Sequence, residues 1–114
     1  MILTQQLAEL VEDVHDDMSK GQAGTDTTLF VKTQTGLQTA VAATNLNLSN
    51  KTFSSSQVTV TYVIDTSTGN SNDLAEYEVN NGTDSYNRSV KATLSKTSDI
   101  ELNMVFTFDF EVIT

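Results

Sequence analysis

Residues 100–113 read IELNMVFTFDFEVI. Ile100, Leu102, Met104, Phe106, Phe108, Phe110 and Val112 take every second position. A side-chain period of two belongs to a β-strand with one buried face. The run therefore predicts a C-terminal strand on the order of 45 Å long, at about 3.3 Å per residue, whose even-numbered face joins the core. Its odd-numbered face is acidic at Glu101, Asp109 and Glu111 but apolar at Val105 and Ile113. Those two apolar residues stand where water is expected and are candidates for an assembly interface.

The same alternation runs back through the chain. In SQVTVTYVIDT, Val58, Val60, Tyr62 and Ile64 share one face and Thr59, Thr61, Val63 and Asp65 the other. In LAEYEVN, Tyr77 and Val79 alternate with Glu76, Glu78 and Asn80, which reads as a strand with a wet face. SYNRSVKATLS alternates through Tyr86, Arg88, Val90, Ala92 and Leu94. Between these runs lie DTSTGNSND (residues 65–73), a polar turn, Asn81-Gly82, a dipeptide favoured in tight hairpins, and KTSD (residues 96–99). Such a meander predicts a mainly β fold, an antiparallel β-sandwich of jelly-roll or Ig-like type, with a small barrel as the alternative.

Before residue 29 the period changes. Leu3, Leu7, Leu10, Val11, Val14 and Met18 recur at spacings of three and four, the mark of one N-terminal amphipathic α-helix over residues 1–20. Thr4 is a candidate N-cap, and Gly21 sits where the helix would end. The other face carries Glu9, Glu12, Asp13, Asp16 and Asp17, crowding a C-terminal half that prefers cations. GQAGTDTT (residues 21–28) reads as a loop, residues 29–32 as a short strand, 35–41 as a helical turn and 44–49 as a strand. One domain over 1–114 is expected, with the sandwich in 29–114.

Fifteen Asp and Glu against six Lys and Arg give a net charge of −9. Such a surface repels phosphates and anionic lipid, so neither nucleic acid nor membrane is expected as a partner. There is no cysteine to build a disulfide or thiolate metal site. No apolar run approaches the roughly 20 residues that span a bilayer, and no signal-peptide pattern is visible. Proline is absent.

Few residues suggest chemistry. His15, the only histidine, lies beside Asp16 and Asp17 and one turn from Glu12. It reads as a metal ligand with carboxylate partners, or more plainly as a solvated residue on an acidic face. The turn at 65–73 is rich in oxygen donors but lacks the EF-hand spacing, which favours a solvated turn over a calcium site. Arg88, the only arginine, would pair across a subunit interface, or lay its stem on a sheet edge with its head in water. Asn47, Asn50, Asn81 and Asn87 begin Asn-x-Ser/Thr sequons, and no glycosylation is expected at them without a secretory signal. GTDTT lacks the Walker spacing and lysine. No nucleophile, base and oxyanion donor assemble, so no enzyme and no cofactor are expected.

The order of segments carries a resemblance. Gly24-Thr25-Asp26-Thr27-Thr28 looks like a Gly-Thr-rich loop, Thr35-Gly36-Leu37 like a Thr-Leu step, Glu76-Tyr77-Glu78-Val79-Asn80 like a turn strand and Asn87-Arg88 like an N-R pair. With a helix before them and an alternating strand after them, they resemble the N-terminal region of phage tail-collar fibre proteins. The resemblance implies a virion structural protein of a tailed virus of bacteria or archaea. Its role would be that of a tail, baseplate or fibre-attachment subunit, made in the host cytoplasm and working by self-assembly. Its partners would be other virion proteins and further copies of itself, as a trimer or higher homo-oligomer. A capsid decoration (cement) or vertex protein is the alternative. A carbohydrate-binding β-sandwich is a further one, in which Tyr62, Tyr77 and Tyr86 would have to serve as the aromatic platform. Val105, Ile113, Arg88, Leu3 and Leu7 are the candidate assembly interface.

Overall fold

The computed structural model describes residues 4–111. Leu3, Val112 and Ile113, like the side chain of Thr4, lie outside the described residues. The elements run α1 (Thr4–Asp17), β1 (Lys20–Gly24), a 3₁₀ turn (Ala42–Thr44), β2 (Leu46–Asn47), β3 (Asn50–Phe53), β4 (Gln57–Ile64), β5 (Asp73–Asn80), β6 (Ser89–Ser95) and β7 (Leu102–Asp109). Two antiparallel sheets form a β-sandwich, with strand orders β2-β1-β5-β6 and β3-β4-β7. The connectivity is not a simple meander. β3–β4 and β5–β6 are hairpins, whereas the links from β4 to β5 and from β6 to β7 pass from one sheet to the other.

The inner row of β4 forms the centre of the core. Val58, Val60, Tyr62 and Ile64 are fully buried and pair in register with Phe108, Phe106, Met104 and Leu102 of β7. The rings of Tyr62, Phe106 and Phe108 stack in series, with centroids 6.0 and 6.5 Å apart. Along β4 the cover changes. Tyr62 lies beneath Gly21 of β1, while Phe53, opposite Val58 on β3, meets the ring of His15 from the helix. Val11 and Met18 complete this core, Leu7 and Val14 border it, and Leu10 stays half exposed.

The helix ends at Asp17, four residues before Gly21, because a cation from another element closes it. The Lys51 Nζ donates to the carbonyls of His15 and Met18 at 2.9 and 3.0 Å. This supplies the positive charge that a helix C-terminus favours and its own acidic sequence lacks.

Gly21 has a different task. KGQAG is an inner strand of the four-stranded sheet rather than a loop, paired to β5 along its whole length, so the sandwich begins at residue 20, not 29. A Cβ at Gly21 would lie 2.0 Å from the Tyr62 ring. Glycine lets the two sheets close over that ring, and the propensity that argues for a loop is overridden by packing. Residues 29–32 and 35–41 form neither a strand nor a helical turn. Instead the chain from Thr25 to Thr39 leaves β1, loops outward and returns beside it, with Thr25 donating to the Thr39 carbonyl and Val41 to that of Ala23.

Gly21→Ala is expected to overpack the contact with Tyr62 and to destabilise the protein by about 1–3 kcal/mol. Urea denaturation measures this, and an unchanged midpoint would contradict the close approach of β1 to Tyr62.

Candidate functional site

Glu76 and Glu78 lie on the face of β5 that alternation assigns to water. Both are buried, because residues 25–41 fold over that face. The loop brings backbone N–H groups that need acceptors, and the two glutamates provide them. Glu76 Oε1 accepts from Gln38 N at 2.8 Å, and Oε2 accepts from Thr39 N at 2.8 Å and Asp26 N at 3.1 Å. Glu78 Oε1 accepts from Leu37 N at 3.1 Å, and its Oε2 from the Asn80 amide at 2.7 Å. A Cβ at Gly24 would stand 2.4 Å from both Glu76 Oε2 and the Thr39 carbonyl, so only glycine admits this approach.

The remaining valence of Glu76 goes to Arg88. Arg88 Nε donates to Glu76 Oε1 at 2.7 Å, with both side chains fully buried. Its Nη1 donates to the Thr28 carbonyl at 2.8 Å and to Gln34 Oε1 at 3.2 Å, and its Nη2 to Asp26 Oδ1 at 3.3 Å. One planar fork thus holds the strand, the start of the loop and its return limb. Arg88 therefore corrects both sequence readings. Its head is not in water, and its donors are spent within its own subunit rather than offered across an interface.

Burial pushes the Glu76 carboxyl upward, but the Arg88 guanidinium and the Gln38, Thr39 and Asp26 N–H groups outweigh it and hold the carboxyl below its usual value. The Thr28 hydroxyl and N–H, with the Arg88 charge as a weaker influence, hold Asp26 low as well.

Between the two limbs held by Arg88 the chain carries Leu29, Phe30 and Val31, exposed by 80, 51 and 53 %. Gln34 closes their base, its Oε1 accepting from Val31 N at 3.2 Å and its own N–H donating to the Val31 carbonyl at 3.0 Å. Three consecutive apolar side chains are thus held out in water on a fastened base. Sequence reasoning missed this tip because LFV reads equally well as a buried strand. The available signal was a lone arginine and a pair of glutamates, residue types that rarely enter a protein interior without partners.

The other candidates fall elsewhere. Val105 is 61 % exposed on the outer face of β7. Leu7 borders the core, so it serves its own subunit. Leu3 and Ile113 are outside the described residues. His15 is neither a solvated residue nor part of a ligand cluster. Its ring packs on Phe53 at 4.5 Å and its Nδ1 meets Asp16 Oδ1 at 2.8 Å, and among the described residues no three acidic or histidine side chains converge as metal ligands. In the turn at 65–73, Asp65 Oδ1 accepts from Ser67 N and from the hydroxyls of Ser67 and Thr68. The cation of that turn is the chain's own. The buried Lys96 Nζ donates to Asn70 Oδ1 at 2.8 Å and the Thr97 carbonyl at 3.0 Å. Asn81-Gly82 opens a longer turn than a two-residue hairpin, with Asn81 N donating to the Asp84 carbonyl and Gly82 at a φ of 92°. Tyr62 and Tyr77 are buried and offer no platform for a sugar, and the Tyr86 hydroxyl donates to Asp17.

No protein-family model matches the chain, and no curated protein and no solved structure matches it.

Arg88→Met would leave a buried carboxylate without its cation and is expected to destabilise the protein by about 3–5 kcal/mol, read by denaturant titration. Loss of under about 1 kcal/mol would contradict a buried pair. A carboxyl held below the usual glutamate value of 4.5 stabilises the fold above that pH and ceases to as pH falls through its folded pKa. Glu76→Gln should accordingly melt well below wild type at neutral pH, with the gap narrowing as pH falls through the folded pKa of Glu76. A gap that stayed constant would show that Glu76 is not ionised in the fold.

Proposed function

We propose that this chain is a non-enzymatic structural subunit that works by assembly, docking through the Leu29–Phe30–Val31 tip. The carrying observation is the contrast between that tip and the rest of the surface. A molecule with net charge −9 displays three consecutive apolar side chains, and holds their base with a buried Arg88–Glu76 pair. Exposed apolar residues that stand together mark interaction surfaces. Ordering them beforehand reduces the entropy lost on binding.

The assembly we favour is a tailed-virus virion, with the chain as a tail, baseplate or fibre-attachment part. Its support is the resemblance in segment order, together with where those segments lie. Asp26 and Thr28, Glu76, and Arg88 come from three of the four stretches on which the resemblance rests and meet in one hydrogen-bond network, and Leu37 of the fourth donates to Glu78 on the same strand face.

Leu29→Asp with Phe30→Asp tests the reading. The double variant should keep wild-type stability within about 0.5 kcal/mol. It should weaken association by at least roughly a hundredfold, because burying such side chains contributes about 1.5–3 kcal/mol each. Light scattering over a concentration series, and binding to purified virion parts, measure this. A wild type that stays monomeric at high concentration and binds no virion part would sink the proposal.

A further inference from the structure

The sandwich has four sheet edges, and they are not treated alike. An unpaired edge is a template for another strand, and proteins blunt it with short strands, lysines, prolines or bulges. β2 has two residues and β3 four. β6 carries Lys91 and slips register against β5 between Leu74 and Glu76. β7 has none of these devices. It runs eight residues in unbroken register with β4, and neither lysine nor proline occurs in it.

The direction of its hydrogen bonds follows from the pairing. Phe110 N donates to the Ser56 carbonyl, and pairing partners alternate along a strand. The even-numbered residues of β7 therefore bond to β4. Asn103, Val105, Thr107 and Asp109 turn their N–H and C=O groups to the free edge. On the inner face, Leu102, Met104, Phe106, Phe108 and Phe110 are only half buried, although they pack on the core. Among the described residues no strand stands on the open side of this half-covered row.

We propose that β7 accepts an added strand from a different protein, one that alternates apolar residues with basic or neutral polar ones. Apolar side chains of that strand would cover the half-buried row. Its other side chains would face Glu101, Val105 and Asp109, where cross-strand opposite charges stabilise and like charges destabilise. A second copy of this chain fits poorly. Two antiparallel registers overlap β7 most fully while keeping both apolar rows on one face. One sets Glu101 opposite the other copy's Asp109, the other sets Glu101 opposite its Glu111, and symmetry repeats each clash. This deepens the assembly reading but rests on β7 alone and not on the Leu29–Val31 tip.

The probe is a peptide of about nine residues that alternates valine and threonine and carries a lysine opposite Glu101 and another opposite Asp109. With lysine at both ends it meets these acids in either direction. Titration followed by amide exchange should protect Asn103, Val105, Thr107 and Asp109. The lysine peptide should bind roughly tenfold more tightly than its glutamate counterpart at low salt, with the gap closing as salt rises. Val105→Pro removes an edge N–H and should abolish binding. Should that variant fail to fold, Glu101→Lys with Asp109→Lys should reverse the preference towards the glutamate peptide. Leu29→Asp should leave peptide binding unchanged, which separates this site from the tip. Three results would overturn the proposal: no binding by either peptide, equal binding of both, or self-association of the wild type through this edge that Val105→Pro abolishes.

Discussion

A glutamate with no exposed surface, bonded to an equally buried arginine, fixes more of this molecule than any apolar contact outside the β4 row. Taking two charges out of water is strongly unfavourable unless geometry and extra hydrogen bonds offset it. Here they do. Glu76 accepts from one guanidinium N–H and three backbone N–H groups, and Arg88 reaches Glu76, Asp26, Thr28 and Gln34. Among the described residues no buried side-chain nitrogen or oxygen lacks a partner. The pair acts across sequence distance, joining β5 to a loop some 40 residues earlier in the chain. Without it the loop would keep only its bond to Glu78 and its backbone bonds beside β1, and the base of the apolar tip would lose the guanidinium that ties it to the sheet.

The same logic of partners outside the local sequence recurs at smaller scale. The helix is acidic to its end, and Lys51 from β3 closes it. The oxygen-rich turn after β4 is filled by Lys96 from the segment after β6. With only six basic residues against fifteen acidic ones, three of the six are spent inside the fold. The surface that remains is strongly anionic, which gives the apolar tip and the free edge of β7 their contrast with it and sets the charge a partner must bring.

Much of the fold was legible because β4, β5 and β7 alternate cleanly, and a period of two has one structural meaning. The helix was legible from its apolar stripe. Three things were not. β1 is written KGQAG, and nothing local distinguishes a glycine chosen for a turn from one chosen so that Tyr62 can pass beneath it. The outer face of β5 looked wet because alternation reports two faces, and a polar face can be covered by water or by backbone amides. Arg88 looked like an edge residue because its partner Glu76 lies on β5 while Arg88 itself stands just before β6, beside a stretch of irregular register. The even-numbered row of β7 was read as core and does pack on it, but as an edge strand it reaches only the rim.

The most direct measurement is native-state hydrogen exchange at the amides of Asp26, Gln38 and Thr39, the three that donate to Glu76. If the buried pair fastens the loop, these amides exchange only with an opening free energy close to that of global unfolding, and Arg88→Met moves them to an easier, local opening. Exchange in the wild type at the rate of a free surface loop would contradict the fastening, and with it the preorganised tip.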